Sequence, residues 1–201
     1  VLRYKDNRAL PSTFQGIALN SNELDWLALQ AGSFERAIPR TGTGSERLTT
    51  TFGNRAYSGS RISYWGATAK SPYGLTVSAY GSRFEDMWQQ YYLGATHLAG
   101  DRAHLALKTS LNYYRTRDQG EQRLGFIDND AYSLAVTAAH GAHGLTAAWQ
   151  QVFGDEYFDY VWESTGNYMA NSLYSDYNGP NEKSWQLRYD LDLAAYGVPG
   201  L

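Results

Sequence analysis

Hydrophobic residues recur in this chain at every second position rather than every third or fourth, a period that belongs to strands and not to helices. The cleanest segment runs from Ser184 to Leu193. There Trp185, Leu187, Tyr189, Leu191 and Leu193 alternate with Ser184, Gln186, Arg188, Asp190 and Asp192, giving one wholly apolar and one wholly polar face. His104 to Tyr114 repeats the arrangement, with Leu105, Leu107, Leu111 and Tyr113 opposite Lys108, Ser110 and Asn112, and Thr109 as the interruption. Weaker copies set Tyr132, Leu134, Val136 and Ala138 against Ser133 and Thr137, and Leu145, Ala147 and Trp149 against Thr146 and Gln150. Leu75, Val77 and Ala79 face away from Thr76, Ser78 and Tyr80. Less regular runs, Thr13 to Leu19, Glu23 to Ser33, Ser60 to Lys70 and Trp88 to Leu98, bring the total to about nine strands. Each is near the roughly 9 to 11 residues that a tilted strand needs to cross hydrocarbon.

The spacers between these strands sort by parity. Those after the first, third, fifth, seventh and ninth are tight: Asn20 to Asn22, Ser71 to Gly74, Ala99 to Arg102, Gly141 to Gly144 and Ala195 to Pro199. Those after the second, sixth and eighth are long: Phe34 to Gly59, Arg115 to Asp130 and Gly154 to Lys183. Only Glu85 to Met87, after the fourth, breaks the rule. Short turns on one rim and long loops on the other predict an all-β fold, a transmembrane antiparallel up-and-down β-barrel. A β-sandwich has no reason to sort its loops this way.

Composition fits. The chain carries 17 Tyr, 6 Trp and 20 Gly against 5 Pro and no Cys, a balance suited to strands, turns and interfacial girdles. The absence of Cys excludes a disulfide scaffold and any thiolate metal site. No run of about 18 apolar residues is present, so a membrane-spanning helix is excluded. The negative mean hydropathy is no objection, because a barrel strand exposes only alternate residues to lipid. A net charge of -3 offers no general attraction for nucleic acid. Without internal repeats or linkers, residues 1–201 form the central part of a single barrel domain. Nine is an odd number, whereas single-chain bacterial barrels use even ones, which implies that these residues belong to a longer chain.

Several stretches resemble one family. The strongest is Tyr174-Ser175-Asp176-Tyr177-Asn178-Gly179-Pro180-Asn181-Glu182-Lys183-Ser184-Trp185-Gln186, continuing through Arg188-Tyr189-Asp190-Leu191 to Tyr196-Gly197-Val198-Pro199-Gly200-Leu201. Others are Gln89-Gln90-Tyr91-Tyr92-Leu93, Trp149 to Asp155 with Phe158-Asp159-Tyr160, and Arg8-Ala9-Leu10-Pro11-Ser12-Thr13-Phe14. In order and over nearly the whole chain, these resemble the OprD family of bacterial outer-membrane carboxylate channels. The resemblance implies a barrel of eighteen strands in the full chain, of which this segment supplies about half, with a lumen narrowed by inward-folded loops. It further implies passive, selective uptake across the bacterial outer membrane of small solutes bearing a carboxylate, amino acids or aromatic and organic acids, without a cofactor. Partners are then the solute and outer-membrane lipid, the assembly a monomer or loose homotrimer. The segment begins at the end of the constricting loop, and the family's constriction residues carry over to Ser172, Tyr174 and Asp176. Between Ser172 and Tyr174 the chain is one residue shorter than a relative of that family.

A carboxylate channel needs lumen-facing cations, preferably Arg, whose planar fork pairs a carboxylate bidentately. Arg188, on the polar face of the most regular strand, is the leading candidate, with Arg8 in the segment assigned to the constricting loop. Lys108, Arg3 and Lys5 are weaker candidates. The plainer reading is that these groups solvate the wall or balance Asp190 and Asp192. Asp176 with Tyr174 would take the ammonium or hydroxyl end of a solute, although Asp176-Tyr177-Asn178-Gly179-Pro180 is also simple turn chemistry.

Two other classes need weighing. In a β-sandwich glycosidase, Asp190 and Asp192 on one strand face would sit roughly 6.6 to 6.8 Å apart, within the span of inverting carboxylate pairs. A receptor or adhesin barrel would bind through its long loops. His140 and His143 share a tight turn with no third ligand beside them, and Asp155, Glu156 and Asp159 lack the spacing of a calcium loop and read as a plain acidic loop.

Overall fold

Alternation of side chains across nine long strands builds one continuous antiparallel sheet in the computed structural model, which describes residues 11–52, 55–162, 164, 169 and 176–198. The strands are β1 (Thr13–Leu24), β2 (Leu27–Ile38), β3 (Glu46–Phe52), β4 (Arg55–Gly59), β5 (Ile62–Lys70), β6 (Leu75–Phe84), β7 (Trp88–Ala99), β8 (Ala106–Asp118), β9 (Asp128–His140), β10 (His143–Phe153) and β11 (Lys183–Leu191). Along the wall the order is β1-β2-β5-β6-β7-β8-β9-β10-β11, each strand beside its neighbour in sequence once the β3–β4 hairpin is set aside. That is the up-and-down topology the spacers predict.

The sheet is inside out relative to a soluble one. From His143 to Gln150, β10 alternates between exposed and buried at every residue; the exposed positions include Leu145 and Trp149 and the buried ones Thr146 and Gln150. On β11 the outward Trp185, Leu187 and Tyr189 are 73%, 65% and 59% exposed, which only a lipid solvent makes favourable. Toward the long-loop end the outward face turns aromatic, with Trp65, Tyr91, Tyr113, Tyr132 and Phe153 exposed or half-buried. Tyr132 and Phe153 stack at 5.7 Å with an interplanar angle of 17°. Beyond that girdle come charges: Arg115 pairs with both Asp128 and Asp130 across β8 and β9.

Four boundaries differ from expectation, each for a physical reason. β1 continues to Leu24 through the polar Asn20 to Glu23, because Asn20 faces the lumen opposite Gln30 and its polarity marks a face rather than a turn. β8 and β9 run past the predicted ends to Asp118 and from Asp128, their outward charges standing above the apolar band. The Phe34 to Gly59 spacer contains the last turns of β2 and the β3–β4 hairpin, which β2 holds through Arg36 to Arg47 and Ala37 to Glu46. β11 stops at Leu191, where Asp192 leaves the strand to cap a short 3-10 helix, Leu193–Tyr196, by accepting from the Ala194 amide at 3.0 Å. Asp190 and Asp192 therefore do not form a pair on one strand face. The odd tight turn, Glu85 to Met87, is roofed by its neighbour: the Arg123 amide donates to the Asp86 carbonyl at 2.9 Å, and Leu124 and Ile127 are buried with Met87.

A candidate solute path along the lumen wall

The inward face is a surface of hydroxyls, amides and aromatic rings. Register places Lys108, Thr137, Thr146 and Arg188 in one lateral row across β8, β9, β10 and β11. Thr137 and Thr146 share a hydrogen bond at 2.8 Å, so the row is two hydroxyls between two cations. Arg188 Nε donates to Asp190 Oδ2 at 2.9 Å, and both side chains are about half exposed. Among the described residues the guanidinium of Arg188 has no other partner.

Nearer the long-loop end, residues 154–162 fold back against the wall. Phe158 and Val161 are buried, and Phe158 meets Tyr114 edge to face at 4.9 Å. Asp159, read from the sequence as part of a plain acidic loop, is fully enclosed, with Trp88 Nε1 donating to its Oδ2 at 2.8 Å and the Thr50 hydroxyl donating to its Oδ1. Burial pushes this carboxyl up to about 6, against the pull of those two donors. Gln90 Nε2 donates to the Asp159 carbonyl at 3.2 Å, adding a second tie to the wall beside that of Trp88. One loop, one hairpin and one wall strand thus meet at a single carboxylate.

Asp176 lies in the second half of this loop, where its carboxylate accepts from the Tyr160 hydroxyl. Burial and then that hydrogen bond hold Tyr160 well above the usual phenol range, so it stays a donor. Gln150 Nε2 fixes the backbone here by donating to the carbonyls of Asp176 at 2.9 Å and Tyr177 at 3.1 Å. Gln150 lies four residues along β10 from Thr146, the partner of Arg188. Asp176 and Arg188 are therefore separated by roughly 13 Å of strand. They lie at two successive levels, or stations, of the wall, Asp176 toward the long-loop end and Arg188 with Lys108 toward the tight-turn rim. Arg3, Lys5, Arg8, Ser172 and Tyr174 lie outside the described residues.

The profile of a family described as outer membrane porin, OprD family, matches residues 1–201. The chain belongs to the OprD family. Porin D of Pseudomonas aeruginosa is 39% identical over 97% of this chain and 46% of that protein. The crystal structure of OccD3 (OpdP) from the same organism superposes with a TM-score of 0.95 at 55% identity, covering all of this chain and 49% of that one. OccK2 (OpdF), solved in complex with glucuronate, gives 0.91 at 33% identity, covering 99% of this chain and 54% of that one. The OprD-family chain thus spans about half the length of its relatives and forms an antiparallel half-barrel of a bacterial outer-membrane channel. Those relatives are porins, not enzymes.

Nothing in the sequence singles out Thr50 or Trp88, and Gln90 entered only as part of a resembling stretch. Trp88 and Gln90 read as ordinary strand positions, and only contacts from 70 or so residues away, at Asp159, single them out. Phe158-Asp159-Tyr160 carried part of the resemblance without disclosing that its carboxylate is buried.

Proposed function

We propose that the full-length protein is a passive channel selective for small solutes that carry a carboxylate, amino acids or aromatic and organic acids, and that residues 1–201 supply the central part of its single barrel domain. The observation that carries this is the row of Lys108, Thr137, Thr146 and Arg188, which offers an anion two positive charges joined by hydroxyls on a wet wall. Asp176 with Tyr160, at the narrowing above it, suits the ammonium or hydroxyl end of the same solute. Tyr174 and Ser172 would extend that station, and Arg8, Arg3 and Lys5 would add positive charge from the segment assigned to the constricting loop. Glucuronate bound to OccK2 supports the carboxylate as the shared feature.

The test is single-channel recording of the full-length protein in a planar bilayer with competing carboxylates. Transient block or competition by carboxylates is expected, and Arg188→Ala should speed their dissociation. Current indifferent to every carboxylate would sink the proposal.

A further inference from the structure

Between the inward loop and the wall lies a cavity of about 140 Å³, bounded by β2, β5, β6, β7 and β8 on one side and by Tyr160, Val161 and Ser164 on the other. It is distinct from the cationic row. Lys108 lies six residues along β8 from Tyr114, which lines the cavity, a separation of roughly 20 Å along the strand. Among the residues lining it none is Asp, Glu, Lys, Arg or His.

Most of its polar groups are committed to the wall. Tyr80 donates to Gln30 Oε1 at 3.0 Å, and Tyr92 donates to Asn112 Oδ1 at 2.8 Å. Two groups are left over. Gln90, nine-tenths buried, spends its NH2 on Thr116 Oγ1 at 3.1 Å and on the Asp159 carbonyl; its Oε1 has no partner among the described residues, and the side chain lines the cavity. Gln30 accepts from Tyr80 through Oε1, and its NH2 has no partner among the described residues. These two amides therefore present one unused acceptor and one unused donor, on strands three apart in the order β2-β5-β6-β7.

That combination specifies a ligand. A charged group would have to leave water for an uncharged lining, which is costly, whereas hydroxyls both donate and accept and can satisfy the two amides. In size the cavity is close to one of about 150 Å³ that holds benzene, so it suits a single six-membered ring. Trp88, Tyr80, Tyr92 and Tyr114 supply ring surface for it. We propose that this cavity is a side subsite for a neutral, hydroxyl-bearing six-membered ring, a pyranose or a phenol, held by Gln30 and Gln90. Within the carboxylate reading above, on which it builds, it is a separate stop on the same path, too far from the cationic row for one small solute to occupy both at once.

The test uses the full-length channel in a planar bilayer with two neutral probes, methyl α-glucopyranoside and resorcinol, and separately with propionate, which has no ring. Transient block by at least one neutral probe is expected, and the responding probe distinguishes sugar from aromatic. Gln90→Leu and, at a less buried position, Gln30→Leu should each shorten that block roughly five- to tenfold, the worth of one hydrogen bond, while leaving propionate block unchanged. Absence of block by both neutral probes in the unaltered channel overturns the subsite, as does unchanged block in both variants. Block by the rings with none by propionate would instead sink the carboxylate reading and leave the subsite standing.

Discussion

Trp88 and Asp159 are 71 residues apart in sequence and 2.8 Å apart in space, and their hydrogen bond ties the inward loop to the barrel wall. Its acceptor is a carboxylate that burial has raised to about 6 from the ordinary value near 4.

The sign of the pH effect follows. A carboxyl whose folded value is raised binds its proton more tightly when docked, so its contribution is fully present below about pH 4 and is lost as pH rises through about 6. The difference amounts to about 3 kcal/mol at most for docking of this segment. Hydrogen exchange at the amides of residues 158–162, corrected for intrinsic pH dependence, should accelerate between pH 4 and pH 7. In Asp159→Asn, which keeps an acceptor for Trp88, the corrected rate should be flat.

Phe158 anchors the same segment apolarly, 1% exposed against Tyr114. Phe158→Ala should weaken docking by ~3–5 kcal/mol, seen as higher open-channel conductance and a noisier open state. The strand ladders do not involve this residue, so resistance of the barrel to heat in detergent should change little.

Charge at the lower station sets ion preference if the row is used by permeating anions. Arg188→Glu should move the reversal potential under a salt gradient toward cation preference, and Lys108→Glu should do so in the same direction. A reversal potential unmoved by both would mean that these cations only balance wall acids such as Asp190.

Gly66 faces the lumen between Gln30 and Tyr80, and a Cβ there would run into the Tyr80 ring and the Ala79 carbonyl. Since the carbonyl belongs to the ladder, the clash has no flexible side chain to absorb all of it. Gly66→Ala should cost about 1–3 kcal/mol, measurable as a lower unfolding midpoint in urea of the detergent-solubilised barrel.

How much of this was legible beforehand depended on which solvent each residue meets. Where the outward face touches hydrocarbon, as at Leu145 to Trp149 or Trp185 to Leu191, alternation identified strands and faces directly. Where a strand rises into headgroups, outward residues become Arg115, Arg117, Asp128 and Asp130, both faces are polar, and the pattern reads as loop. Asn20 misled in the complementary way, a lumen residue mistaken for a turn. Arg188 was found because a cation on the polar face of a regular strand is visible locally. Asp159 was not, because its meaning comes from Thr50, Trp88 and Gln90, and sequence spacing carries no trace of that meeting.

The charged upper part of β8 and β9 also has an electrostatic consequence. From Tyr113 in the aromatic girdle to Asp118, β8 climbs five further residues, roughly 17 Å of strand. At a tilt of about 45° that lifts the wall about 12 Å above the girdle. The Debye length in physiological salt is about 8 Å. The charges at that height therefore stand outside most of the field of the membrane's own surface charges, and the potential around them is set by Arg115, Arg117, Asp128 and Asp130 rather than by the lipid.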